Sequence, residues 1–141
     1  MKIRVRSFFL LQNQRPDPFC VTLFVWLQAK RNLNEENWDA AALMARSALQ
    51  IALRNNDAEG KNLFQEIDDL ATKRVLPPIM QEWAHNVREL GNDSAHPKPD
   101  QKATNPIDAK DIVKFLDFLL EYLYTLPKRI NDYRERGNSG S

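Results

Sequence analysis

The chain has 141 residues, 43% of them hydrophobic and 28% charged, with a formal net charge of +1. That is enough to bury a core in one domain without disulfide or metal, and the charge balance argues against a surface that coats polyanions throughout. One cysteine, Cys20, excludes an intrachain disulfide, and with only two histidines in the chain no structural zinc site is expected.

Taken in order, residues 1–16 form an N-terminal arm or extension. Lys2-Ile3-Arg4-Val5-Arg6 alternates like a short strand, but no second strand is evident to pair with it. Phe8-Phe9-Leu10-Leu11 is too short for a signal-peptide core. The apolar run over 19–27 is about half of what a membrane span needs. A cytoplasmic protein without a membrane partner is expected, with Cys20 a small buried apolar residue.

The helical domain is expected over 17–136. Asp17-Pro18 suits a helix opening, with Asp as N-cap and Pro in the first turn, and 19–31 should follow as a helix buried on more than one side. Asn34 reads as the next N-cap, with Glu35-Glu36 at the positive end of the helix dipole. To residue 54 the run is rich in Ala, Leu and Met, the strongest helix formers. Its stripe of Trp38, Ala41, Ala42, Ala45, Ala48, Leu49 and Ala52 marks it as the central helix of a bundle, with alanines that allow close approach.

A polar loop over 55–60 precedes a shorter helix over 61–73, whose apolar line runs through Leu63, Phe64, Ile67, Leu70 and Ala71. Leu76-Pro77-Pro78 breaks it and opens the next helix, which turns Ile79, Met80, Trp83, Ala84, Val87 and Leu90 towards the core. Residues 97–106 are loop. The last long helix starts between Asn105 and Asp108, with a main stripe of Ile112, Leu116, Leu119, Leu120 and Leu123. A second stripe, Phe115, Phe118 and Tyr122, makes the helix apolar on two sides, so that it is either deeply buried or shared between the core and a partner subunit. Pro127 should kink or end that helix. A short charged helix over 128–136 and a flexible tail over 137–141 complete an all-α bundle of four to five helices.

Both histidines lie in one segment, residues 85–96. His85, Arg88 and Asn92 stand at i, i+3 and i+7 and share a helix face if the helix persists. Gly91 offers a left-handed helix stop, after which His96 could fold back against the helix end. Arginine supplies a planar fork of donors for phosphate, a histidine can take and return a proton near neutral pH, and Asn can hold either in place. Such a set suffices for metal-independent RNA cleavage, in which a 2′-hydroxyl attacks its own phosphate. The same residues also have a structural use, as ion pair, helix stop and loop pin, and on spacing alone that use is the stronger reading. No metal or cofactor ligand motif is present.

Arg46-Ser47-Ala48-Leu49-Gln50, within 38–53, resembles the first conserved helix of a prokaryotic family of uncharacterised domains, often fused to or encoded beside restriction-endonuclease subunits. Arg88, Gly91-Asn92 and Ala95-His96-Pro97 resemble its main motif, and residues 118–127 its final helix, so that the resemblance spans 27–130. The family looks like a branch of the HEPN superfamily. The resemblance implies a HEPN-like bundle that forms a homodimer, with RNA or another nucleic acid, or a protein of a phage-defence or toxin–antitoxin system, as partner. Active HEPN ribonucleases place four to six residues between arginine and histidine. Carried over, Arg88 is the phosphate-binding group, His96 the proton-transfer group and Asn92 their polar partner. Seven residues separate Arg88 from His96 here, a departure that leaves cleavage in question and a binding role open.

Overall fold

Asp17, Asn62 and Asn105 each turn a side-chain oxygen onto a backbone amide two or three residues ahead, at 2.9, 2.9 and 2.8 Å. Each thereby satisfies a donor that the first turn of a helix leaves free. The computed structural model describes residues 17–96 and 98–140, so the expected arm over 1–16 and Pro97 lie outside the described residues. The helices are α1 (Pro18–Asn34), α2 (Trp38–Asn55), α3 (Leu63–Thr72), α4 (Pro78–Ala95), α5 (Pro106–Leu120) and α6 (Leu126–Ser139), with a π-helical turn, Glu121–Thr125, joining the last two. No strand occurs among the described residues. The fold is the expected all-α bundle.

Helix α2 is central and packs against α1, α3, α4 and α5. Ala41, Ala45, Ala48 and Ala52 are fully buried along it, at spacings that keep them on one side. Small side chains there let neighbouring helices come close, while Leu49, Leu53, Ile67, Leu70, Leu116 and Leu119 fill the space between them.

The start of α2 differs from expectation. Asn34 is the last residue of α1, and Asn37 precedes α2. The chain reverses at Glu36, which takes φ 61°, with the Asn37 amide on the Asn32 carbonyl at 2.8 Å and the Glu36 amide on the Leu33 carbonyl at 3.1 Å. This pair of bonds is a Schellman closure, normally signalled by glycine. Asp57 (φ 64°) and Arg74 (φ 61°) close α2 and α3 in the same way. None of the three ends carries the glycine that would have marked it in the sequence.

Several expected core positions face outward. Helix α1 is buried on one side only: Phe19, Leu23, Phe24 and Leu27 are exposed, and so is Cys20. The expectation of a buried cysteine is corrected, because α1 lies at the edge of the bundle and an apolar run has no polar face to reveal which side turns out. Ile79 is also exposed. The second stripe of α5 divides: Phe115 is buried against Trp83, ring centroids 5.6 Å apart, Tyr122 is half-buried, and Phe118 remains exposed.

Pro127 neither ends the helix nor interrupts the rod. It lacks the amide that would reach Leu123, and its ring would strike that carbonyl in a regular α-helix. The π turn just before it bonds the Leu126 amide to the Glu121 carbonyl, one residue further back, which widens the helix where the ring needs room. Helix α6 then runs on with no buried residue.

Candidate functional site

Helix α4 carries the motif, and it continues as helix through Gly91 and Asn92 to Ala95. The glycine is therefore not a left-handed stop. A Cβ built on Gly91 would lie 2.4 Å from Cβ, 2.8 Å from Cδ and 3.0 Å from Cγ of Arg46, so the glycine is where α4 crosses α2 with the arginine stem laid over it. The same arginine donates from Nε to Asn92 Oδ1 at 2.6 Å. Asn92 is thus the partner of Arg46 on α2.

One turn earlier, a second polar chain crosses from α3 to α4. Asp68 Oδ1 accepts from Gln81 Nε2 at 2.9 Å and lies 2.8 Å from His85 Nε2, while Arg88 Nε donates to His85 Nδ1 at 3.2 Å. These contacts fix the tautomer: Nε2 carries the proton facing the carboxylate, and Nδ1 is the acceptor. Arg88 also reaches Glu89 Oε1 from Nη2 at 3.2 Å. Its guanidinium carbon sits 5.1 Å from the centre of the Phe64 ring, a cation–π distance. Phe64 in turn contacts the His85 ring, centroids 4.8 Å apart. The Arg88 side chain is 17% exposed, with Nη1 the nitrogen that has no partner among the described residues. The hydrogen bonds from His85 and Gln81 hold the Asp68 carboxyl below its ordinary range.

His96 occupies the C-cap of α4. Its amide bonds to the Asn92 carbonyl at 3.0 Å, its side chain is exposed, and no hydrogen bond or ion pair reaches that side chain among the described residues. Eight residues of helix place it about 12 Å along the axis from Arg88, so the two side chains of one chain do not form a pair. The following loop is tied down elsewhere. Buried Thr104 gives its amide to Asp39 Oδ1 at 2.9 Å and its hydroxyl to the same oxygen, and Ser94 Oγ stands 3.1 Å from Thr104 Oγ1. The Thr104 hydroxyl and amide hold the Asp39 carboxyl below the usual carboxylate range.

The structure therefore groups the motif differently from the sequence. Arg88 and His85 belong together, Asn92 belongs with Arg46, and His96 stands alone at the helix end. The i, i+3 spacing of His85 and Arg88 was a legible signal. Asp68 had none, since only the packing of α3 on α4 brings it near.

Two further concavities are formed by these helices. A groove of about 310 Å³ between α1 and the α5–α6 rod has Phe19, Trp26 and Tyr124 as walls, with Trp26 Nε1 donating to Asp117 at 2.6 Å. An acidic cleft of about 370 Å³ between α4 and α5 is lined by Glu89, Asp93, Asp108 and Asp111. Among the described residues no group of three or more His, Cys, Asp and Glu side chains is placed to hold a metal ion. No described helix is long and apolar enough to cross a membrane.

The sequence pattern of the family described as domain of unknown function (DUF4145) matches residues 28–136. The chain belongs to the DUF4145 family. Its matched region includes all of α2 to α5 and every motif residue above. No protein of curated function and no solved structure matches this DUF4145 domain.

Proposed function

We propose that this DUF4145 domain is a HEPN-like binding module that self-associates and holds nucleic acid through Arg88, in a prokaryotic restriction or phage-defence setting. The observation that carries the reading is the state of the Arg88 guanidinium. Nε and Nη2 are held by His85 and Glu89, the plane rests against Phe64, and Nη1 is left as a donor without a partner among the described residues. A planar cation oriented before binding suits a phosphate oxygen, and orientation in advance lowers the cost of binding. Self-association is supported by Leu126, Ile130 and Tyr133, exposed at i, i+4 and i+7 on α6. The test is retention of single-stranded RNA at rising salt. Binding should weaken as salt increases, and Arg88→Ala should reduce it about tenfold. Retention that is absent at low salt, or indifferent to Arg88→Ala, removes the nucleic-acid reading and leaves a protein-binding scaffold. Light scattering at micromolar concentration tests the dimer, and a monomer refutes it.

A second reading, a metal-independent endoribonuclease, is favoured by one observation: His96 is exposed with an unengaged imidazole. Arg88 of one copy and His96 of another could then share a phosphate across a dimer, with Arg88 stabilising charge and His96 moving the proton. Asn92 would act by holding Arg46 with its side chain and the His96 amide with its carbonyl. RNA cleavage in EDTA that is lost in His96→Ala supports this reading; intact RNA rejects it.

A further inference from the structure

The arginine of the motif is held by residues that no motif contains. Asp68 on α3 faces His85 Nε2 at 2.8 Å, and the opposite ring nitrogen accepts from Arg88 Nε at 3.2 Å. We infer that Asp68 and His85 are positioning residues for Arg88: the carboxylate fixes the ring as the tautomer with a bare Nδ1, and that nitrogen fixes the guanidinium.

The chain of contacts has one polarity. An ionised carboxylate only accepts, so the ring nitrogen facing it must carry the proton, and the other must be the acceptor while the ring is neutral. An arginine Nε–H only donates, so it requires such an acceptor. Reversing the tautomer would face Nδ1–H with another N–H and leave two donors opposed. Gln81 donates to the same carboxylate oxygen at 2.9 Å, and Phe64 contacts both the ring and the guanidinium.

The arrangement also makes Arg88 answer to protonation of His85. A proton on Nδ1 removes the acceptor and puts two cations in contact, which ejects the guanidinium from its seat. The charged groups facing the ring and its arginine are Asp68 from α3, Arg88 on α4 itself, and Glu89 beyond Arg88. Asp69 on α3 is committed to Lys73 at 2.8 Å. Arg88 is thus a seated donor when His85 is neutral and a released one when it is charged.

This inference rests on the proposed role of Arg88 only where nucleic acid is concerned, and the two can fail separately. In the full chain, the Arg88 Nε–H resonance is identified by its loss in Arg88→Lys and followed by NMR with pH beside the His85 ring signals. The expected result is that the two signals change together, with no such transition in His85→Gln, whose carboxamide supplies both a donor and an acceptor without titrating. An Arg88 signal that ignores the ring titration overturns the inference. RNA retention is the second readout. His85→Ala should weaken it about fivefold, and His85→Gln should restore it to within about twofold. Loss of retention in Arg88→Ala with none in His85→Ala also overturns the inference. Retention unchanged in Arg88→Ala, beside NMR signals that change together, refutes instead the nucleic-acid role and leaves the positioning intact.

Discussion

The two histidines of α4 make opposite use of the same side chain. His85, in the body of the helix, has a partner on each ring nitrogen and a phenylalanine against its face. His96, at the C-cap, is exposed and free of side-chain partners among the described residues. They lie eleven positions apart in one segment, yet the first is set by what α3 and α4 bring to it and the second by nothing yet in place. A side chain tied on both nitrogens acts through its neighbours; an untied one at a helix end is available to a ligand or a second copy. The contrast divides the motif into a half that builds the bundle and a half that meets solvent.

Four substitutions test that division. The largest effect is expected at Gly91, where alanine would ordinarily gain about 1 kcal/mol of helix propensity. Here its methyl meets the stem of Arg46, close to the backbone where the side chain cannot swing aside. A net loss of about 2 kcal/mol is expected in urea unfolding; an unchanged or raised midpoint would show that α4 does not need its close approach to α2. Asn92→Ala removes the acceptor of a charged, half-buried donor. It should cost about 1.5 kcal/mol, and rescue by Arg46→Ala in a double-mutant cycle would confirm that the two act as a pair.

Thr104→Val should cost about 1 kcal/mol, reduced from a buried charged bond because Asp39 is partly open to water. Its effect should also depend on pH. The Asp39 and Asp68 carboxyls are held below their ordinary range in the folded chain, so each contributes stability that is present above about pH 4 and lost as pH falls through its folded value. The Thr104→Val chain should therefore lose less on acidification than the wild type, and parallel acid limbs would contradict the assignment. His96→Ala is the smallest, within about 0.5 kcal/mol. A larger loss would mean that the helix end is a structural post and would erase the contrast between the two histidines.

Much of the fold was legible before any packing was known. Asp17 announced its cap, the alanine stripe of α2 announced the centre of the bundle, and Pro77-Pro78 marked the opening of α4. What escaped did so for physical reasons. Glu36 closes α1 in a conformation that favours glycine, so the end of that helix gave no local sign. Phe115 and Phe118 look alike as residues, and only Trp83 on another helix decides which is buried. The continuation past Pro127 depends on a π turn that no composition announces.

The motif shows the same boundary. The sequence by itself determined that Arg88 rides near the end of one helix in an all-α domain, because helical spacing and proline breaks are local properties of the chain, whereas the continuation of that helix through Gly91 and Asn92 was not among them. Only the tertiary structure decided what each motif residue does there. Arg46 comes from α2 and Asp68 from α3, and a hydrogen bond needs its partner within about 3 Å. Pairing Asn92 with Arg46, and Arg88 with His85 and Asp68, is therefore a consequence of how three helices pack.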